Sequence, residues 1–328
     1  MLRTALPELA RIQEPVRRRL GELDTVLRRL VVEEFDLIDE VNDYLLLKRG
    51  KFFRPTLLLL CNEVGGQPSD EAMLLAAVVE AVHMATLVHD DAVDHSVLRR
   101  GMPTVNTVWG HQVAIIMGDY LYSRSVMEMT RLQRVDVIGV LAQAANAMTI
   151  GEMRQLVMHD GLDFTEEDYY RLISAKTASL MSAACELGAM VGDPSYRAAL
   201  RDYGYNVGMA FQIADDILDY AGTEDVTGKP TGQDLREHKV TLPLIVALRQ
   251  FDQEQRLLVN ALFGDPEPSD EQILRVMQAT EALGGIDYSM KIAEEFAQAA
   301  LDAIEKLPES GATTALVEAV SYAIERRQ

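Results

Sequence analysis

Two copies of one acidic signature, Asp-Asp-x-x-Asp, constrain this chain more than any other feature: Asp90, Asp91 and Asp94, and far along the chain Asp215, Asp216 and Asp219. Both stand in apolar, helix-forming sequence, with Ala85-Thr86-Leu87-Val88-His89 before the first and Phe211-Gln212-Ile213-Ala214 before the second. Residues four apart share a helix face, so Asp90/Asp94 and Asp215/Asp219 each aim a carboxylate pair the same way. Carboxylates held that close to a core are costly unless cations neutralise them. Two such clusters facing one another would hold several hard divalent ions and, through them, a polyphosphate. Oxygen-only ligands select magnesium, manganese or calcium over zinc or copper.

The rest of the chain predicts what carries the clusters. Helical periodicity runs almost throughout, over roughly 8–30, 34–48, 54–64, 70–96, 111–132, 135–160, 166–192, 196–221, 241–250, 252–263, 269–284, 287–306 and 312–326, and alternating strand patterns are nearly lacking. The punctuation agrees: Arg54-Pro55 opens one helix, Gly65-Gly66 closes it, and Thr165 is an N-cap followed by Glu166 and Glu167. Segments such as Leu74–Val82 are apolar on more than one side and need helices all around them. The expected fold is all-α, a single domain over 1–328, with long helices bundled around a central cavity. The one long polar loop, Gly222 to Glu237, carries Gly228, Lys229, Gly232 and Asp234 and suits a lid over an anionic ligand.

Composition narrows the partners. With 328 residues, 48% hydrophobic, 25% charged and a formal charge of −20, the chain reads as a folded protein that repels nucleic acid and anionic membrane. Cys61 and Cys185, flanked by apolar residues, are expected as small core side chains, with no disulfide framework or zinc site. The N-terminal stretch lacks the continuous apolar core of a signal peptide, and Ala72–Val88, interrupted by Glu80 and His83, reads as too short and polar to span a bilayer. A cytoplasmic protein without stable membrane insertion is the expectation.

The cations are grouped beside the acids: Lys51 and Arg54, Arg99-Arg100, Lys176-Thr177, and Lys229 and Lys239 on either side of the polar loop. Such groups are the usual phosphate partners. Six ordered motifs now resemble one family: GKFFRP (50–55), HMATLVHDDAVDHSVLRRGMPT (83–104), GDYLYSR (118–124), KTASL (176–180), FQIADDILD (211–219) and GKPTGQDLREHKVTLP (228–243). The chain resembles the trans-type polyprenyl diphosphate synthases, over about 45–245.

The resemblance implies that Asp90, Asp91, Asp94, Asp215, Asp216 and Asp219 hold magnesium ions, with manganese able to substitute, on an allylic diphosphate. It implies that Arg99, Lys176, Thr177, Gln212, Lys229 and Lys239 contact that diphosphate, with Lys176, Thr177 and Gln212 at the reacting end. Lys51, Arg54, His83 and Arg100 match the site for isopentenyl diphosphate. The family also implies a homodimer. Two departures stand out: Phe52-Phe53 follows Lys51 where many relatives carry a basic or polar residue, and His238 replaces a small residue.

The implied reaction is head-to-tail (1'-4) condensation of isopentenyl diphosphate with the allylic partner. It needs no protein nucleophile, only stabilisation of the departing diphosphate and a dry cavity. His89, a helix neighbour of Asp90, faces elsewhere and reads as a residue that packs or supports the metal-holding side chains from behind. Product length follows from the turns before Asp90: Ala85 and Thr86, then Val82 and Ala81, are small or non-aromatic and leave room for a tail longer than twenty carbons. Tyr120, Tyr122 or Met127 could close the tunnel instead, giving a farnesyl- or geranylgeranyl-length product. A class I terpene cyclase shares the first aspartate motif, but its usual second motif is Asn/Ser/Glu rather than Asp-rich. A non-catalytic synthase subunit would not need both motifs intact.

Overall fold

The computed structural model describes residues 9–47, 50–99, 101–158, 161–221 and 231–325. Helices account for 79% of it. In chain order they are α1 (Leu9–Ile12), α2 (Arg17–Val31), α3 (Asp36–Leu47), α4 (Phe53–Glu63), α5 (Glu71–Val93), α6 (Val105–Trp109), α7 (His111–Thr130), α8 (Val135–Met158) and α9 (Glu166–Ile173). They continue with α10 (Ser179–Val191), α11 (Arg197–Ala221), α12 (Gln233–Arg236), α13 (Leu242–Leu248), α14 (Gln253–Phe263), α15 (Asp270–Ala282), α16 (Gly285–Ile304) and α17 (Gly311–Ile324).

Several boundaries differ from the periodicity for local reasons. Pro15 breaks the first expected helix into α1, a 3-10 turn at Glu14–Val16 and α2. A two-stranded hairpin, β1 (Leu98–Arg99) with β2 (Met102–Pro103), turns the chain just after the first acid cluster, too short for any alternation to reveal. Thr165 caps α9 with a full capping box, its side chain accepting from Asp168 N–H. The expected helix 166–192 is α9 and α10 joined by one π-helical turn, Ser174–Ala178. α12 forms inside the segment expected as open loop; Gly222–Pro230, with Gly228 and Lys229, lies outside the described residues.

Two apolar packings hold the bundle. The first unites α2, α4, α5, α10 and α17, with Leu57, Leu58, Leu59 and Leu60 all fully buried; each such leucine contributes about 1.5–3 kcal/mol relative to exposure. The backbones of α4 and α10 nearly touch, since a Cβ at Gly188 would stand 2.3 Å from the Leu58 carbonyl oxygen. Cys61 and Cys185 are buried free thiols in this packing. The second packing unites α9, α11, α13, α15 and α16. α5 corrects one expectation: by length and hydropathy it is apolar enough to cross a bilayer, yet 61% of its most apolar stretch is buried within the protein. It is a core helix, surrounded as its many-sided apolarity requires.

Candidate active site

A cavity of about 470 Å³ opens where the two packings meet. Phe211 packs on the first, while Tyr169, Ile173 and Val240 belong to the second, and all four line the space. Asp90 and Asp94, at the end of α5, line it together with Asp215 and Asp216 from α11. The two acid signatures therefore converge on one space.

The remaining two aspartates are engaged beside it. Asp91, 6% exposed, accepts both hydrogen bonds of a forked contact from Arg99 Nε at 2.8 and 2.9 Å. Asp219 accepts from the backbone N–H groups of Gln233 and Asp234 at 3.0 and 2.8 Å, which fixes the start of α12. Neither is among the residues that line the cavity. Arg99, so held, is.

Burial governs the charge state of the carboxylates. It pushes Asp90 up to about 6, against the pull of Lys176 and with Glu152 and Asp94 adding to the rise. It pushes Asp216 up to about 7, although Tyr169 and Gln212 donate to its oxygens, and Asp215 and Asp219 add to the rise. Asp219 and Asp234 are raised for the same first reason, burial, followed at Asp234 by the negative charge of Asp216 and Asp219. These are acids short of positive charge. Among the described residues no three His, Cys, Asp or Glu side chains form a ready-made metal cage. An oxygen-only donor set, spread along a cavity and crowded with like charge, fits divalent ions that share their coordination with ligand oxygens.

The cations and hydroxyls sit among these acids. Lys176 and Thr177 lie on the π turn, a distortion that recurs at functional sites. Glycines let neighbouring helices press on it: a Cβ at Gly208 of α11 would lie 2.5 Å from Ala178 Cα, and one at Gly151 of α8 would lie 2.8 Å from Ala175 Cβ. Lys176 Nζ reaches Glu152 at 2.6 Å and donates to Gln155 Oε1 at 2.8 Å. A chain of donors runs on from the turn: Thr177 Oγ1 donates to Gln212 Oε1 at 2.7 Å, and Gln212 Nε2 to Asp216 Oδ1 at 2.8 Å. Tyr169 donates its hydroxyl to Asp216 Oδ2 at 2.6 Å. Lys239 also lines the cavity; burial works against its charge, but Glu237, then Asp234 and Asp94, hold its pKa above the ordinary lysine value.

The residues expected to bind the second substrate are placed unevenly. Arg54 and His83 line the cavity with Arg54 Nη1 3.1 Å from His83 Nε2, so that nitrogen of His83 is the unprotonated acceptor. Lys51 is exposed and does not line it, while its carbonyl accepts from Gln13 Nε2 at 2.9 Å. Arg100 and Lys229 lie outside the described residues. Of the four positions expected to set product length, Thr86 faces the cavity; Ala81, Val82 and Ala85 are buried in the first packing. Tyr120 donates to the Val31 carbonyl and Met127 is 46% exposed. His89 does not line the cavity: its ring sits where a Cβ on Gly118 would stand, with Nε2 3.0 Å from the Ile115 carbonyl oxygen and 3.5 Å from Asp119 Oδ1. His238 adopts a left-handed backbone (φ 55°) and reaches the Asp265 carbonyl at 2.9 Å.

Sequence reasoning left out Glu152, Gln155, Tyr169 and Phe164, and treated Asp234 only as part of a loop. None carries a local signature, because each belongs to the site only through the packing of α8, α9 with the turn before it, and α12 against the π turn and α11.

Similarity now bears on this geometry. The family model described as polyprenyl synthetase matches residues 35–280. The chain belongs to the polyprenyl synthetase family. It is 37% identical to an all-trans-nonaprenyl-diphosphate synthase (geranyl-diphosphate specific) of Rhodobacter capsulatus, covering 97% of this chain and 98% of that one. It is 32% identical to an octaprenyl diphosphate synthase of Escherichia coli, covering 97% and 99%. Its structure matches a polyprenyl synthase of Caulobacter crescentus complexed with calcium and isoprenyl diphosphate, at a TM-score of 0.93 and 31% identity over 99% of this chain and 100% of that one. Like these relatives, the chain is a prenyltransferase of the polyprenyl diphosphate synthase type, built on their all-α fold.

Proposed function

We propose that this polyprenyl synthetase condenses isopentenyl diphosphate with an allylic diphosphate, in the presence of magnesium, to give a linear all-trans polyprenyl diphosphate longer than C20. The observation that carries it is the convergence of Asp90, Asp94, Asp215 and Asp216 on one cavity also lined by Arg99, Lys176 and Lys239. The long relatives named above support the product class, and the calcium-bound relative supports a divalent ion.

Each group has a defined task. Asp90, Asp94, Asp215 and Asp216 would hold the magnesium ions, manganese serving in their place. Asp91 supports them by aiming Arg99, and Asp219 by fixing the segment that leads to Lys239. Bound magnesium supplies neutralisation of the diphosphate oxygens. The allylic C–O bond breaks with its electron pair passing to the diphosphate, and Arg99, Lys176 and Lys239 stand where that charge grows. Thr177 and Gln212, hydrogen-bonded to each other, orient the same end, and the family resemblance alone adds Lys229 to the diphosphate contacts. The double bond of isopentenyl diphosphate attacks the allylic carbon; Arg54 and His83 line the space that would hold this substrate, and Lys51 and Arg100 are assigned to it by the family resemblance alone. A proton then leaves the new cation for the released diphosphate. Phe164, Leu172, Ile173, Phe211 and Val240 form the apolar wall that keeps water from the cation.

Thr86 borders the path of the growing tail, with Ala81, Val82 and Ala85 behind it. A homodimer fits the exposed apolar residues on adjoining α7 and α8, where Ile116, Met153 and Val157 are 62%, 59% and 81% exposed. The buried free cysteines fit the reducing cytoplasm. The decisive experiment incubates purified protein with magnesium, labelled isopentenyl diphosphate and an allylic primer, and reads products by mass spectrometry. Linear products beyond C20 are expected. A product stopping at C20 or below would overturn the chain-length reading, and cyclised hydrocarbon or no product would overturn the reaction.

A further inference from the structure

The ammonium of Lys176 is already satisfied on one side. Glu152 Oε2 lies 2.6 Å from Nζ, Gln155 Oε1 accepts from it at 2.8 Å, and the side chains of Lys176 and Glu152 are only 25% and 20% exposed. Gln155 and Lys176 line the cavity, whereas Glu152 does not. The carboxylate stands behind the lysine, within reach of it but set back from the ligand space. Its second oxygen, Oε1, is buried and makes no hydrogen bond among the described residues. Lys176 is thus the sole polar partner that the structure gives Glu152 there, and the close seat of Gly151 against Ala175 and the Lys176 stem is what brings α8 near enough for the contact.

From this geometry we infer that Glu152 is a positioning residue that restrains Lys176, fixing its ammonium and weakening its hold on the allylic diphosphate. An arriving diphosphate meets a lysine whose charge is half-screened by a fixed carboxylate at low dielectric. A partly buried pair of this kind carries more electrostatic weight than an exposed one. The restraint has a use in a repetitive synthesis: the cavity must let a diphosphate go after every bond formed, and an unopposed Lys176 would hold it. Gln155 shares the aiming but not the charge.

This rests on Lys176 being a diphosphate contact, so binding and turnover are measured separately. Inorganic pyrophosphate is titrated calorimetrically in chelator, where protein cations alone attract it, and steady-state kinetics follow with magnesium. Glu152→Gln keeps a hydrogen-bond acceptor for Nζ and removes the charge. It should bind pyrophosphate about three- to tenfold tighter, a typical effect of removing one partly buried charge. KM for the allylic diphosphate should fall with it, and kcat should not rise. Gln155→Glu, which places a second carboxylate on the same ammonium, should weaken pyrophosphate binding by a similar factor and serves if the first variant does not fold. In a Lys176→Gln background, Glu152→Gln should have a clearly smaller effect, that of the direct charge which also reaches Asp90. Unaltered or weaker binding in Glu152→Gln, or tightening as large without Lys176 as with it, would overturn the inference while leaving the reaction intact. Wild-type protein that neither binds pyrophosphate nor elongates a primer would bring down the functional reading and this inference together.

Discussion

At Asp90, burial raises the carboxyl to about 6 while Lys176 pulls it back; at Asp216 burial raises it to about 7 against the donors Tyr169 and Gln212. The sign of the consequence is fixed by linkage. An aspartate raised in the folded state binds more protons than the unfolded chain between its ordinary value and the raised one, so its contribution to stability is full below about 4 and is lost as pH rises through about 6 to 7. A divalent cation competes with those protons. The rise in melting temperature caused by magnesium should therefore be small at pH 5.5 and should grow toward pH 7.5. A magnesium effect that is flat or shrinks over that range would contradict the assignment of these acids. Asp90→Ala should lower kcat by orders of magnitude with helix content unchanged by circular dichroism, whereas near-normal turnover would remove Asp90 from the site.

Among the elements, the π turn Ser174–Ala178 links fold to chemistry most closely. It presents Lys176 and Thr177 because α8 and α11 press on it through Gly151 and Gly208. At Gly208 the obstacle to a side chain is backbone, which cannot swing aside. Gly208→Ala should cost about 1–3 kcal/mol in denaturant unfolding and raise KM for the allylic diphosphate, as overpacking displaces the turn. Gly139→Ala in α8, where nothing lies within 4 Å of the added carbon, is the control and should leave both nearly unchanged. The turn was invisible in the sequence. Its residues keep helical spacing on both sides, and a single extra residue in the ladder leaves the apolar pattern of α9 and α10 in place. The Leu98–Pro103 hairpin escaped for a different reason: two-residue strands are too short for a period of two to register.

For the molecule as a whole, the bundle was legible because long segments such as Leu74–Val82 are apolar on several faces, and the site was legible because two acid trios are a rare cost for a core to bear. What the chain did not disclose is which trio members face the cavity. Asp91 already stands off the Asp90/Asp94 face by helix geometry, whereas Asp219 shares the face of Asp215 and only the tertiary position of α12 gives it other partners. The tail path shows the same limit: Ala81, Val82, Ala85 and Thr86 share one helix, yet only Thr86 borders the space. Thr86→Phe should shorten the product by one or more isoprene units on mass spectrometry, and an unchanged length would place the path along another helix. All of this depends on the two acid clusters acting as one receptor. Its most direct test is the anomalous scattering of manganese in crystals soaked with manganese and pyrophosphate: peaks between Asp90/Asp94 and Asp215, bridged by the pyrophosphate, are expected, and manganese bound only elsewhere, or none in the cavity, would contradict it.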